Sequence, residues 1–331
     1  MAGELIDGEV QGWAATLHEP EPGAPARDSD LLFIHGMAVG GWMWSDAFLA
    51  PLRAAGFRCW TVSLPGRHGG ATHATGPQAI ERALAALEAG ASRQEALTLL
   101  ARALPGASVF DGPTLGDFAD AVAGARAGID APVRLVGYSL GGAVAQALMR
   151  RGADVAGVAL VCSAPPYGLW RAGLEMAVTA PDLWVELARF ALGGARAVDL
   201  GVIRRHLFPT GVPEAVFRGL AARVTDESLA ALGQAAGFPP FAPPPGPRRD
   251  VLVVGGAQDR FVPPLDVLAT AAWYGTAPRF IAGSGHAPMV DAGAPELAAL
   301  LRDWAAGQGD RPAPAGRPGR QTSPSSPASA I

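Results

Sequence analysis

Three side chains in this sequence have the types and local settings for nucleophilic chemistry: Ser139, Asp259 and His286. A serine hydroxyl is a poor nucleophile until an imidazole takes its proton, and the imidazole works best when a carboxylate fixes its tautomer. Ser139 sits in Gly137-Tyr138-Ser139-Leu140-Gly141, after the apolar run Val133, Leu135, Val136 and before the small-residue stretch Ala143, Ala145, Ala147, Leu148. That order predicts strand, sharp turn, helix. Glycines two before and two after the serine let strand and helix approach without a Cβ clash, so the hydroxyl projects above the sheet. The N–H of Leu140, at the helix N-terminus, then points toward any oxyanion formed there. Read alone, such a short pattern is also consistent with a Gly-rich turn carrying a solvated serine.

The other two candidates follow strand-type runs. Asp259 comes after Val251 to Val254 in Gly255-Gly256-Ala257-Gln258-Asp259, and His286 comes after Arg279 to Ala282 in Gly283-Ser284-Gly285-His286. Asp266 is a rival acid, set back because its surroundings predict a helix rather than a strand end. Asp259 could be a plain turn residue and His286 a solvated one. His35 reads as a structural residue bonding loop backbone. His18, His68, His73 and His206 read as exposed or local contacts, and no pair has metal-ligand spacing.

Stepping outward from these residues, the chain alternates strand-type and helix-type segments. Residues 1 to 18 suit an edge strand or hairpin, with Val10, Trp13, Ala15 and Leu17 alternating. Leu31 to Ile34 predicts a buried strand, and Trp44, Phe48 and Leu52 a helix ending at Gly56. Phe57 to Leu64 is a further strand, with a loop at 65–70 on the side of the Ser139 turn. Two short amphipathic helices are expected over about 78–104, the second opened by Ser92 and Glu95. Thr114 and Asp117 open the crossover helix that leads to Val133. Val155 to Val161 is another strand. From 165 to 247 the strand signals stop, and Trp170, Trp184, Phe190, Phe208, Phe217, Phe238 and Phe241 fall among helical windows broken by Gly and Pro. After a Pro-rich connector come strand, helix, strand, and a last helix over Pro295 to Ala305. Residues 308–331 are polar and Pro/Ser-rich, a disordered tail by composition. This alternation gives an α/β class: an open, mostly parallel, doubly wound sheet with right-handed crossovers.

Composition bounds the partners. The 331 residues suffice for one large domain with an insertion, and 49% hydrophobic against 17% charged residues supplies a core. No apolar run approaches the length of a membrane span. Net charge is -4, and all 26 basic residues are Arg, scattered among acids without a basic stripe, so nothing points to nucleic acid. The first residues lack a basic and apolar leader, and Cys59 and Cys162 read as buried thiols rather than a disulfide framework; a soluble, cytoplasmic protein is the expectation. Neither GxGxxG nor GxxxxGK[ST] occurs, so no nucleotide, flavin, nicotinamide or metal cofactor is expected.

The segments HGMAVGGWMW, SLPGRHGG, LVGYSLGGAVAQAL, VVGGAQDRFVPP and GSGHAPM, in this order, resemble the α/β-hydrolase superfamily. The resemblance implies a catalytic core over 1–164 and 248–307, with 165–247 as a helical cap. It implies Ser139 as nucleophile, His286 as base and then acid, and Asp259 as its orienter, in the chain order used by hydrolases with this serine turn. It also implies that the residue after His35-Gly36 supplies a second oxyanion amide, which is Met37 beside Leu140. Two departures stand out: Tyr138 where His often precedes the serine, and Pro-Gly-Arg-His where Gly-His-Gly is common.

The activity expected from this resemblance is cofactor-independent hydrolysis of carboxylic esters of small, mainly apolar molecules through an acyl-enzyme. Thioester, lactone or C–C bond hydrolysis and acyl transfer share the same triad. A ligand receptor that keeps the fold is the alternative of another class. Oligomeric state and physiological substrate are not written in the sequence.

Overall fold

A computed structural model describes residues 5–6, 14–66, 112–248 and 250–307. Eight strands form one sheet: β1 (Leu5–Ile6), β2 (Ala14–His18), β3 (Asp30–Ile34), β4 (Cys59–Ser63), β5 (Val133–Tyr138), β6 (Gly157–Val161), β7 (Val251–Gly256) and β8 (Pro278–Ile281). Their spatial order is β1-β2-β4-β3-β5-β6-β7-β8. β1 pairs antiparallel with β2, and β2 antiparallel with β4; from β4 through β8 every pairing is parallel. The edge strand or hairpin expected at the N-terminus corresponds to the antiparallel pair β1 and β2. Val10 and Trp13 lie outside the described residues, as do the helices expected at 78–104 and the tail at 308–331.

The parallel strands β3 to β7 are buried on both faces, as helix-covered strands must be, while β8 at the edge is half-buried. Alternate residues go to opposite sides: Leu32 and Ile34 of β3 and Val133 and Leu135 of β5 join one core, while Leu31 and Phe33, and Val136 and Tyr138, join the other. This is the period-two alternation of a pleated strand. The first core is covered by α2 (Leu115–Ala127), α3 (Leu140–Arg150) and α9 (Pro264–Tyr274), through residues such as Phe118, Val144 and Val267. The second is covered by α1 (Asp46–Ala54) and α10 (Ala294–Ala305), through Leu49, Leu52, Leu297 and Leu301. Both thiols are fully buried, Cys59 in β4 and Cys162 just after β6, and burial pushes each well above the ordinary thiol value.

Local signals account for the helix starts. Thr114 and Asp117 form a reciprocal capping box on α2. The first helix differs from expectation in beginning after Trp44: the Ser45 hydroxyl accepts the Phe48 N–H at 3.2 Å, which caps α1 and leaves Trp44 buried in the preceding turn.

Between β6 and β7 the segment is all helical: α4 (Trp170–Thr179), α5 (Pro181–Gly193), α6 (Leu200–Leu207), α7 (Glu214–Ala221) and α8 (Leu229–Ala235). It is not uniform. Ala231, Ala235, Phe241 and Ala242 belong to the core under the sheet, and the Gln234 side chain accepts the Leu115 N–H at 2.8 Å, so the end of this segment rejoins the sheet domain. Nor do all its aromatics turn inward, since Phe238 is 76% exposed and Trp170 is 49% exposed. No helix among the described residues is long and apolar enough to cross a membrane.

Candidate active site

Strand order reverses between β3 and β5: from β3 the chain builds outward to β4, and from β5 it builds the other way to β8. The carboxyl ends of those strands are where an open parallel sheet leaves a crevice. Leu140 follows β5 and Met37 follows β3, so both candidate amide donors flank that switch point. Asp259 and His286 follow β7 and β8 at the same edge.

The turn after β5 is strained. Ser139 has φ 51° and ψ -115°, a conformation that costs a residue with a Cβ on the order of 1–3 kcal/mol. Sterics of the neighbours enforce it: a Cβ on Gly137 would sit 2.6 Å from the Gly141 carbonyl oxygen, and one on Gly141 would sit 2.4 Å from that of His35. Strand and helix thus close together only with glycine at both positions. Among the described residues, the non-glycine positive φ values are those of Ala38, Ser139 and Cys162, which follow the adjacent strands β3, β5 and β6. Strain is concentrated at this edge.

The three candidate residues meet. His286 Nε2 lies 2.9 Å from Ser139 Oγ, and His286 Nδ1 lies 2.8 Å from Asp259 Oδ2. Asp259 is buried, and its Oδ1 accepts the N–H groups of Phe261 at 2.8 Å and Val262 at 3.0 Å. These amides hold the carboxylate in place, with its other oxygen aimed at the ring. With the carboxylate accepting at Nδ1, the neutral ring carries its proton there, and Nε2 keeps a lone pair for the serine hydroxyl.

The rings and loops around His286 fix its plane. Phe261 stacks on it, with centroids 4.7 Å apart and planes 20° apart, and Tyr138 leans against it at 5.3 Å. Tyr138 also meets Trp44 edge-on at 6.2 Å, so its role in place of the more frequent histidine is packing. Its phenol is held well above the ordinary value, first by burial and then by neighbouring anionic groups, and stays protonated. Below the ring, Asp291 accepts from the Ser284 hydroxyl at 2.8 Å and from the N–H groups of Gly285 and Gly293, which organises the loop carrying His286. Neither Phe261 nor Asp291 was singled out by sequence. The only available signals were their closeness in sequence to Asp259 and His286.

His35 stands where a backbone-bonding residue was expected. Leu64 N–H donates to its Nε2 at 2.9 Å, so the proton is on Nδ1, which donates to the Gly36 carbonyl at 2.8 Å. That carbonyl shares a peptide plane with the Met37 N–H, so the bond sets the direction of the N–H. Among the described residues neither the Met37 nor the Leu140 N–H donates to an acceptor, and the latter is one of the orphan donors at a helix start.

Asp266, the rival acid, is elsewhere. It lies in α9, fully buried, paired with Arg171 and Tyr167. His18 bonds Asp46 and Thr61, and His206 bonds Asp182, both local contacts. His68 and His73 lie outside the described residues. Cys162 Sγ, an Asp259 oxygen and a His286 nitrogen fall within 4.8 Å of one another. They do not fit a metal: burial, with the Asp259 charge next, disfavours the thiolate, and both imidazole nitrogens already have partners.

Above Ser139 is a cavity of about 450 Å³. Ser139, Met37, Leu140 and His286 lie at its floor, and its walls are apolar, with Met176, Trp184, Leu187, Phe190, Phe208 and Phe217 from the helical segment among them. A hydroxyl beside a carboxylate-held imidazole, two unused amides and an apolar cavity can together support attack on a carbonyl carbon.

A parallel sheet with the nucleophile-type turn at its switch point defines a hydrolase fold of the α/β class. The sequence pattern of the alpha/beta hydrolase family matches residues 31–300, and the chain belongs to that family. Solved structures share the fold at low identity. An esterase from Exiguobacterium antarcticum is 15% identical with TM-score 0.62, over 92% of this chain and 99% of that one. An esterase from Thermogutta terrifontis is 19% identical with TM-score 0.53, over 93% and 99%. The N-acyl homoserine lactonase AidH is 18% identical with TM-score 0.56, over 92% and 97%. No curated protein matches the sequence.

Proposed function

We propose that the protein is a serine hydrolase that cleaves carboxylic esters of small, mainly apolar molecules, with α4 to α7 acting as a cap over Ser139. The observation that carries the reading is the continuous chain from Asp259 through His286 to Ser139, at 2.8 and 2.9 Å, ending at the floor of an apolar cavity. Solved esterases and a lactonase with this fold make ester-type bonds a natural substrate class.

In this reading Ser139 Oγ attacks the ester carbonyl carbon while His286 Nε2 takes its proton. The oxyanion accepts hydrogen bonds from Met37 and Leu140 N–H, and Asp259 stabilises the imidazolium. His286 then protonates the departing alcohol, leaving an acyl group on Ser139. Water, deprotonated by the same nitrogen, attacks the acyl carbon and regenerates the serine. The walls select apolar groups because burying each methylene contributes up to about 0.8 kcal/mol.

Two measurements test this. A fluorophosphonate should label Ser139, located by peptide mapping, and aryl esters should show kcat/KM rising from acetyl to medium-chain acyl groups before the cavity length sets a limit. Absence of labelling and of any burst with activated esters would replace the enzyme reading by a receptor with a hydrolase fold. A monotonic fall from the second carbon would reject only the apolar substrate class.

A further inference from the structure

We propose that Glu227, between α7 and α8, is a positioning residue that holds the oxyanion loop in shape, so that the aim of the Met37 N–H depends on how the helical segment is docked. This rests on the reading of Ser139 as nucleophile and of Met37 and Leu140 as oxyanion donors.

Ala38 follows Met37 in the loop after β3. Its φ of 62° is in the left-handed region, unfavourable for a residue with a Cβ, so bonds from outside must hold it. Both of its backbone groups are taken by one stretch of chain. Ala38 N–H donates to Glu227 Oε2 at 3.0 Å, and Thr225 N–H donates to the Ala38 carbonyl at 2.9 Å. The 37–38 peptide plane is thereby fixed from the helical segment, while His35 fixes the 36–37 plane through the Gly36 carbonyl. Met37 lies between two pinned planes, and only its own φ and ψ separate them.

Glu227 is itself held at the base. Its Oε1 accepts the Ser228 N–H at 2.9 Å, and the Ser228 hydroxyl donates to the Pro113 carbonyl at 2.6 Å and caps α8. That helix rejoins the sheet core through Ala231 and Ala235. On the other side, Asp226 Oδ1 accepts the N–H of Ala195, which lines the cavity. One three-residue stretch therefore joins the oxyanion loop to the cavity wall. A carboxylate suits the position because two N–H groups must be accepted in divergent directions, one by each oxygen. Asp would be a methylene short, whereas Gln keeps the length and one accepting oxygen for the Ala38 N–H.

The experiment compares full-length wild type, Glu227→Ala and Glu227→Gln. The readouts are steady-state aryl ester kinetics, melting temperature, and affinity for an alkyl trifluoromethyl ketone. Ser139 Oγ adds to the ketone carbon, the carbonyl electron pair moves to oxygen, and the serine proton goes to His286, so the adduct reports the oxyanion donors directly. Glu227→Ala should lower kcat roughly 30-fold, below the 10²–10³ that complete loss of a donor costs, with KM within about threefold. Ketone affinity should fall by the same factor, and melting temperature by no more than about 4 °C. Glu227→Gln should recover to within about fivefold of wild type. Unchanged ketone affinity in Glu227→Ala, or a Gln variant as damaged as Ala, would overturn the proposal alone. A wild-type protein that forms no ketone adduct would overturn the nucleophile assignment and this inference with it.

Discussion

Two buried carboxylates in the chain's last quarter, Asp259 and Asp266, show how the same group can be built for opposite ends. Asp266, in the first turn of α9, receives the Arg171 guanidinium on both oxygens, Nε at 2.7 Å and Nη2 at 2.5 Å, together with the Tyr167 hydroxyl. Its charge is cancelled permanently, and the cluster ties α4 to the sheet domain. In return the carboxylate holds Arg171 above its ordinary value, while burial and the Asp266 charge raise the Tyr167 phenol. Asp259, after β7, accepts from two amides and faces the His286 ring and the Cys162 thiol. In the proposed reaction it faces a partner that becomes cationic only during turnover. Burial therefore does not mark the proposed catalytic acid; a carboxylate facing an imidazole rather than a guanidinium does.

The sharpest break of the comparison begins at the other end of the chain from Asp259. Ser139→Ala should cost on the order of 10⁶ in kcat with melting temperature unchanged, since the strained turn loses no packing. Activity above a few per cent, in protein free of wild type, would remove the nucleophile. Next, Asp259→Asn should lower kcat about 10⁴-fold, because an amide can present its NH₂ to Nδ1 and select the wrong tautomer. Asp266→Asn reverses the pattern. It should leave kcat of the folded protein within about tenfold of wild type while costing about 2 kcal/mol of stability, because Arg171 loses its two-oxygen partner and keeps only Glu175. Denaturant titration alongside kinetics reads both numbers, and a dead but stable Asp266 variant would exchange the two assignments.

A third carboxylate gives the smallest effect. Asp117 is solvent-exposed, and hydrogen bonds from the Thr114 backbone and hydroxyl hold it below its ordinary value. A depressed folded pKa contributes stability that is present above the unfolded value and lost as pH falls through the folded one. Asp117→Ala should cost about 0.5 kcal/mol at neutral pH, and the difference from wild type should vanish in acid. A loss that persisted in acid would point to packing rather than charge.

What the sequence made legible follows from how local each cause is. The turn at Ser139 is dictated by glycines within two residues of it, and the α2 cap by Thr114 and Asp117, so both were readable. Asp259 and His286 were readable because strand ends on one edge of a parallel sheet must converge. The grip of Glu227 on Ala38 joins residues far apart in sequence, and no periodicity announces it. The same holds for the return of Phe241 to the core while nearby Phe238 faces solvent: both are apolar, and only tertiary packing separates them.

The two thiols have a practical consequence. The whole sequence has two cysteines, both sealed in the sheet domain and both disfavoured as thiolates. A thiol-reactive dye should leave the native protein unlabelled and modify it only when the sheet opens. Cys59 sits in β4 and Cys162 next to the reactive edge, so mapping which thiol reacts first would tell opening at one place from opening at the other. The chain carries its own pair of reporters, and none needs to be engineered.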